Sequence, residues 1–165
     1  MKIIIAIISI FAFIYLLFIS IGFISSSIYK GEVTKEYNIS VENLWEIVYN
    51  VENFGSWRQD IIGISILESD GEKPTFWLEY TDDGGAYANE SLEVIPRERF
   101  TVRIKSKTYG IEGIRTYILS STYNGCNLTI QEEITIDEII LRSILFFRGR
   151  EYYINQQLSW LDEAI

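Results

Sequence analysis

The sequence contains no histidine, one cysteine, two prolines and one methionine among its 165 residues. The lack of histidine removes the usual general base, the partner of a serine or cysteine nucleophile, and histidine-ligated zinc. The lone Cys126 permits no internal disulfide, so cysteine usage does not identify the compartment. Because Cys126 begins an apolar strand pattern and has no nearby base, we interpret it as a buried structural thiol.

Basic residues are also few. Residues 30–165 contain 13 lysines and arginines against 23 aspartates and glutamates, a net charge of −10, with no basic cluster. This balance argues against nucleic acid and against an anionic lipid surface as partners. The acidic pairs Asp82-Asp83 and Glu132-Glu133 do not indicate a metal, because neighbouring strand residues point to opposite faces and the first pair belongs to a turn. We predict no metal and no cofactor.

One long hydrophobic run opens the chain. No charge occurs from Ile3 to Ile24, and these residues would form a helix about 33 Å long, enough to cross a bilayer core of about 30 Å. The apolar part of a cleaved signal peptide is shorter, about 7–15 residues, and ends in an A-x-A-like site that is missing here. We therefore predict that residues 1–29 form a transmembrane anchor and linker in the cell membrane.

The sequence gives little information about the side of the membrane on which the domain lies. Lys2 precedes the apolar run, and Lys30 and Lys35 follow it among acidic residues, so the positive-inside rule gives almost no preference. The short N-terminal tail favours an outward-facing domain.

Residues 30–165 are predicted to form one domain that starts with a strand, Val33–Ile39, followed by two short helices. Ser40 is a suitable N-cap for the first helix, and the second spans Asn50–Trp57. Turn sequences then separate five further strands, which span Ile61–Glu68, Thr75–Thr81, Ala86–Val94, Arg99–Lys105 and Ile114–Thr122. Asn124-Gly125 predicts a type I′ turn into the last strand.

The closing segment combines a strand and a helix, each with an apolar face. Strand alternation places Glu132 in the middle of an otherwise apolar row, formed by Cys126, Leu128, Ile130, Ile134 and Ile136. Helical spacing then predicts one long helix whose stripe also includes Glu151, with the apolar members Ile140, Ile144, Phe147, Ile154, Leu158 and Leu161. An α+β fold follows, in which a seven-stranded antiparallel sheet wraps around the long helix and leaves room for a ligand between them.

Several local motifs support this order. Tyr37-Asn38-Ile39-Ser40-Val41-Glu42-Asn43-Leu44-Trp45 resembles an "I-x-A-P-x-x-V-W" entry into a first helix, and Phe54-Gly55-Ser56-Trp57-Arg58 resembles a "P-x-W-R" ending without its proline. Trp77-Leu78-Glu79 resembles a "W-x-E" strand, and Leu128-Thr129-Ile130-Gln131-Glu132-Glu133 with Arg142 resembles an "L-T-I-T-E-E … R" passage. Together they resemble the START-like, or SRPBCC, superfamily of helix-grip proteins, and its membrane-anchored polyketide cyclase-like branch in particular.

The resemblance implies a cavity, and the sequence supplies candidate residues for its walls. Glu132 is either a cavity carboxylate that orients a ligand or acts as an acid or base, or one paired with an arginine. Glu79 and Arg58 are expected to form an ion pair, and Tyr117 offers a hydroxyl to the polar end of an apolar ligand. The predicted ligand-binding set is Trp57, Arg58, Trp77, Glu79, Tyr117, Glu132, Phe147 and Glu151, and none is assigned as catalytic.

Three functions remain open at this stage. The first is a non-catalytic membrane-anchored domain that binds a lipid or another small hydrophobic molecule. The second is a cyclase- or hydrolase-type enzyme using Glu79, Glu132 and Tyr117, which the lack of histidine disfavours. The third is a protein-interaction domain with a filled core. A cavity above about 300 Å³ with Glu79 or Glu132 at its wall would favour the first two.

Overall fold

The computed structural model describes residues 2–71 and 73–165, so only Met1 of the predicted anchor segment lies outside it. A first helix, α1, spans Lys2–Ile24 and precedes a sheet of seven antiparallel strands. The strands are β1 (Ile28–Tyr37), β2 (Ile61–Asp70), β3 (Lys73–Thr81), β4 (Ala86–Ile95), β5 (Arg99–Ser106), β6 (Ile111–Ser121) and β7 (Cys126–Ile136). Their order is β1-β7-β6-β5-β4-β3-β2, so every strand after β1 pairs with the next along the chain and β7 closes back on β1. The predicted seven-stranded antiparallel sheet is confirmed.

Three α-helices and one 3₁₀ helix follow α1 in the described chain. Helix α2 spans Val41–Tyr49 and a 3₁₀ helix spans Val51–Ser56. These are the two short helices that were predicted to follow the first strand. Ser40 caps α2 by accepting a hydrogen bond from the Asn43 N–H at 3.2 Å. The closing helices are α3, Ile139–Arg148, and α4, Tyr152–Ala164.

The closing helix is therefore divided in two, which corrects the prediction of one continuous helix. Gly149 between α3 and α4 has φ of 91°, a left-handed conformation that favours glycine, and its N–H bonds to the Leu145 carbonyl at 2.9 Å. The break lets α4 turn onto the sheet while α3 lies beside α1. Strand β1 also begins at Ile28, so the linker is shorter than predicted and the last two residues of segment 1–29 belong to the sheet.

The core lies between the sheet and the helices. We call the sheet face that carries the buried side chains the inner face; on β7 it bears Cys126, Leu128, Ile130, Glu132, Ile134 and Ile136, all buried. Across from this row, α4 buries Ile154, Leu158 and Leu161. The alternation predicted for β7 is confirmed, including the placement of Glu132 among apolar residues.

The turn before β7 differs from the predicted type I′ geometry, which needs two left-handed residues. Asn124 and Gly125 are not among the residues with positive φ in the described chain, which are Gly71, Gly84, Arg97, Gly110 and Gly149. Gly125 is instead required by close packing, because a Cβ there would collide with the Tyr37 carbonyl oxygen.

We expect Gly125→Ala to lower the free energy of unfolding by about 1–3 kcal/mol, the usual cost of overpacking. Asn124→Ala in the same turn is the control and should change it by less than about 0.5 kcal/mol. Denaturant titration followed by tryptophan fluorescence measures both variants. Equal effects at the two positions would contradict the role of close packing.

Candidate functional site

A cavity of about 320 Å³ lies between the inner face of the sheet and the helices α3 and α4. Its size is at the lower end of the range for small-molecule sites. Strands β3 to β7 supply one wall and the two helices the other. The lining includes Arg58, Asp60, Glu79, Thr81, Asp82, Asp83, Tyr87, Asn89, Ile104, Tyr109, Ile111, Arg115, Glu132, Ile134, Leu141, Tyr153, Gln156, Gln157 and Trp160.

A buried ion network centred on Arg58 forms one part of the wall. Its Nη1 donates to Glu79 Oε2 at 2.9 Å, and its Nε and Nη2 donate to the two oxygens of Asp60 at 3.1 and 2.6 Å. Glu79 Oε1 also accepts a hydrogen bond from Trp77 Nε1 at 2.9 Å. The side chains of Arg58 and Glu79 are only 5% and 4% exposed, so both carboxylate oxygens of Glu79 are satisfied inside the protein.

The local sequence explains why these groups meet. Trp77 and Glu79 are two residues apart on β3 and both point to the inner face. Arg58 follows the 3₁₀ helix, where its N–H bonds to the Phe54 carbonyl at 2.7 Å. Burial alone would lower the pKa of the Arg58 guanidinium, but Glu79 and then Asp60 outweigh it and raise the pKa above its usual value. Arg58 is therefore a permanent cation of the wall.

A second buried pair joins Arg115 and Glu132, which face each other directly across β6 and β7. Arg115 Nε donates to Glu132 Oε1 at 2.6 Å, and the side chains are 13% and 5% exposed. Burial would lower the pKa of Arg115, but the adjacent Glu132 carboxylate raises it well above the usual range. The structure thus pairs Glu132 with an arginine, which was one of the two alternatives, and places it at the cavity wall. Its role toward a ligand stays a prediction.

Tyr117 lies next to this pair on β6. Its hydroxyl donates to Gln157 Oε1 of α4 at 3.1 Å, and its ring stacks on Phe100 at 6.0 Å. Burial raises the pKa of Tyr117, which keeps the phenol neutral. Tyr117 borders a separate void of about 10 Å³, roughly the volume of one water molecule, rather than the main cavity.

The cavity opens beside the β3–β4 turn. There Thr81 Oγ1 donates to Asp83 Oδ1 at 2.7 Å and lies 2.9 Å from the Tyr109 hydroxyl, which also donates to Asp83. These bonds, from Thr81 first and then Tyr109, lower the pKa of Asp83. On the helical side, burial raises the pKa of Tyr153 to about 12. The opening is therefore polar, with phenols that stay protonated at neutral pH.

The predicted site residues are only partly brought together. Arg58, Glu79 and Glu132 line the cavity, whereas Trp77 borders only the small void with Tyr117. Trp57 packs edge-to-face on Phe54 in the core, with ring centroids 5.7 Å apart. Trp57 is therefore a core residue and does not border the cavity.

Phe147 and Glu151 lie outside the cavity, which corrects their place in the predicted set. Phe147 is 63% exposed and stacks on Phe18 of α1, because α3 turns this side away from the sheet. Glu151 is exposed in the break before α4 and borders an open groove with Lys30 and Glu32. Both positions were inferred from a continuous helix that Gly149 interrupts.

Sequence patterns missed several polar and aromatic members of the wall. Asn89 is 2% exposed and Gln157 is 3% exposed. The inner faces of their strand and helix were predicted from apolar residues alone, so neither amide was assigned to the interior. The available signal was their spacing: Asn89 is two residues from Tyr87 on β4, and Gln157 is four residues after Tyr153 on α4. The polar and aromatic wall residues absent from the predicted set are Asp60, Thr81, Asp82, Asp83, Tyr87, Asn89, Tyr109, Arg115, Tyr153, Gln156, Gln157 and Trp160.

No protein-family model matches this sequence, and none of the curated proteins is similar to it. Solved structures are similar in fold. A START superfamily protein from Mycobacterium smegmatis has a TM-score of 0.65 and 11% identity, over 83% of this chain and 99% of the other. A protein from Rhizobium loti has a TM-score of 0.64 and 16% identity, over 84% of this chain and 97% of the other.

A protein of the dynemicin biosynthetic locus has a TM-score of 0.54 and 16% identity, over 83% of this chain and 48% of the other. At these identities the similarity concerns the fold. The seven-stranded sheet, the closing helices and these structural neighbours together agree with the fold predicted from the sequence motifs. The chain has a START-like fold.

Proposed function

We propose that this protein is a membrane-anchored binding domain that holds a small hydrophobic molecule with one polar end in the cavity between the sheet and helices α3 and α4. The cavity itself carries the proposal. Its volume of about 320 Å³ is larger than the voids that remain in a closely packed protein core. Its wall contains both apolar residues and polar groups that are held in place by hydrogen bonds. This volume suits one short apolar molecule or a single acyl chain rather than a two-chain phospholipid.

The wall chemistry supports recognition of a polar end. Ile104, Ile111, Ile134 and Leu141 supply apolar surface, while the Arg58 and Arg115 networks hold charged groups in fixed positions. Because each buried carboxylate already accepts a hydrogen bond from an arginine, the arrangement favours binding over proton transfer. The START-like fold of the neighbours is consistent with a ligand-binding domain.

The anchor is the second part of the proposal. Helix α1 contains an 18-residue window with mean hydropathy 2.9 and no buried residue, so it is long and apolar enough to cross a membrane. Its attachment to β1 through Ser25–Ser27 would hold the domain against the bilayer, where apolar molecules concentrate. We propose that the domain lies on the outer face of the membrane, as expected from the sequence.

Filling the cavity should abolish ligand retention. The variant Ile104→Trp/Leu141→Trp adds bulk on both walls, and the control Ile114→Trp/Leu92→Trp adds the same bulk at positions that are 42% and 39% exposed. Overpacking of about 1–3 kcal/mol against a bound molecule corresponds to at least a fivefold loss of retained ligand.

The measurement is organic extraction of the full chain purified in mild detergent, followed by mass spectrometry of the extract. We expect one class of apolar molecule from the natural protein and the control, and a loss of it from the cavity variant. Circular dichroism verifies that both variants fold. Equal recovery from both variants would contradict a ligand in this cavity.

A further inference from the structure

Helix α3 exposes an apolar face that no other described part of the chain covers. Ile140, Ile144 and Phe147 follow helical steps of four and three and are 49%, 36% and 63% exposed, and the adjacent Phe146 is 61% exposed. The other sides of α3 are occupied: Leu145 is buried in the core and Leu141 lines the cavity. Such a face on a short helix requires a partner.

The same helix packs against the last turns of α1. Ser143 Oγ donates to the Phe18 carbonyl at 2.7 Å, and the Phe147 and Phe18 rings stack with centroids 6.2 Å apart. Gly22 makes this close approach possible, because a Cβ there would collide with the Ile139 carbonyl oxygen. Residue numbers rise along α3 as they fall along α1, so the two helices run in opposite directions at this contact.

The contact fixes the height of α3 relative to a membrane crossed by α1. Helix α1 has 23 residues and is about 35 Å long, so its ends lie close to the two boundaries of a core about 30 Å thick. Phe18 is six residues before the end of α1, or about 9 Å. Because the two helices run in opposite directions, α3 starts near the boundary beside Gly22 and reaches about 9 Å inward beside Phe18, within the depth of about 5–10 Å that interfacial amphipathic helices reach.

The charges of α3 fit this position. Helix α3 contains Arg142 and Arg148 and no acidic residue, in a domain with a net charge of −10, and Arg150 follows it. The Arg148 guanidinium lies over the Tyr152 ring, 4.6 Å from its centroid. From the inner end of α3 the long side chain of Arg148 extends toward the headgroup region, where its charge stays hydrated and its apolar stem is covered.

We propose that α3 is a second membrane contact, whose exposed face of Ile140, Ile144, Phe146 and Phe147 is covered by the phospholipid bilayer beside α1. The contact depends on the anchor assigned to α1 under the proposed function, but not on a ligand in the cavity.

The cavity opening is at the same end of the sheet. Ile136 N–H bonds to the Ser27 carbonyl, Asp137 N–H bonds to the Gly110 carbonyl, both at 2.8 Å, and Tyr109 reaches Thr81 at the opening. This row of contacts joins the α1–β1 connection to the cavity mouth. Leu141 lines the cavity on one side of α3, and the exposed apolar face is on the other side of the same helix. Only the width of α3 therefore separates the cavity from the bilayer, so an apolar molecule would have a short path from the bilayer into the cavity.

Site-directed spin labelling tests the contact with the full chain in phosphatidylcholine vesicles. Cys126 is fully buried and burial raises the pKa of its thiol, so a nitroxide attaches to a newly introduced cysteine. The probes are Ile144→Cys and Phe147→Cys on α3, with Ile10→Cys as the reference within α1. Tyr123→Cys is the aqueous reference, because Tyr123 is fully exposed in the β6–β7 turn.

We expect the labels at 144 and 147 to be several-fold more accessible to oxygen than to a water-soluble nickel complex, as at position 10, with the opposite preference at 123. Nickel access at 147 equal to that at 123 would overturn the contact while leaving the anchor intact. Protection of 147 from both reagents would also overturn it, by showing that protein, such as a second copy, covers the face. An aqueous label at position 10 would overturn the anchor and the contact together.

Discussion

Replacing Arg58 with methionine is expected to lower the free energy of unfolding by about 3–5 kcal/mol, the cost of leaving a buried charge without its partner. The carboxylate of Glu79, 4% exposed, would keep only the hydrogen bond from Trp77 Nε1. Asp60 loses two hydrogen bonds as well, but at 27% exposure it can turn toward water. The loss therefore arises mainly from Glu79.

Two companion variants separate the mechanisms. Glu79→Gln leaves both bonds between Arg58 and Asp60 in place, so its cost should be smaller, about 1.5–3 kcal/mol for one charged hydrogen bond. Arg58→Met/Glu79→Leu removes both buried charges and should recover at least half of the single-variant loss. Urea unfolding of the full chain in detergent measures all three. A double variant less stable than Arg58→Met would show that the pair is not the source of the effect.

Replacing Arg115 with methionine should lower the free energy of unfolding by about 3 kcal/mol, the lower end of the range for a broken buried pair. The loss is smaller than for Arg58 because Glu132 borders the cavity, where water can reach the carboxylate. The substitution also removes the cation that directly contacts Glu132. We therefore expect it to change ligand retention in addition to stability.

Glu132→Gln distinguishes the structural role from the binding role. The amide oxygen can still accept from Arg115 Nε, so the fold should be weakened less than in Arg115→Met. Extraction and mass spectrometry of the two variants give the second readout. Loss of ligand in Glu132→Gln at nearly natural stability supports a contact with the polar end of the ligand. A clear fall in stability with full ligand retention would assign Glu132 to the fold alone.

Much of the sheet could be predicted because its inner face is encoded by strand alternation. Glu132 interrupts the apolar row of β7 and Glu79 shares the face of Trp77, so the two carboxylates that matter most stood out as exceptions. Their environment requires a charged partner, and Arg58 was identifiable as the partner of Glu79. The register that places Arg115 opposite Glu132 depends on long-range pairing and emerged only with the structure.

The closing helices show where periodicity is insufficient. Ile140, Ile144 and Phe147 have the spacing of a core-facing stripe, yet they are exposed because α3 packs against α1 and not on the sheet. Helical spacing reports that a face is apolar, but it does not say whether protein or lipid covers it. Gly149 was the available signal for the break, and a single glycine inside an apolar pattern is also tolerated within a helix.

Polar residues of the cavity were hidden for the opposite reason. Asn89 and Gln157 are buried, but a sequence pattern assigns polar amides to the solvent-facing side of a strand or a helix. Their burial depends on hydrogen bonds across elements, such as that between Tyr117 and Gln157. Only the packed structure determines those partners.

Native mass spectrometry of the full chain, released from detergent under gentle conditions, tests the occupied cavity most directly. We expect a protein peak heavier than 19.2 kDa by the mass of one small apolar molecule. That added mass should persist in Ile114→Trp/Leu92→Trp and disappear in Ile104→Trp/Leu141→Trp. A natural protein that carries no added mass, or an added mass that both variants retain equally, would contradict ligand binding in this cavity.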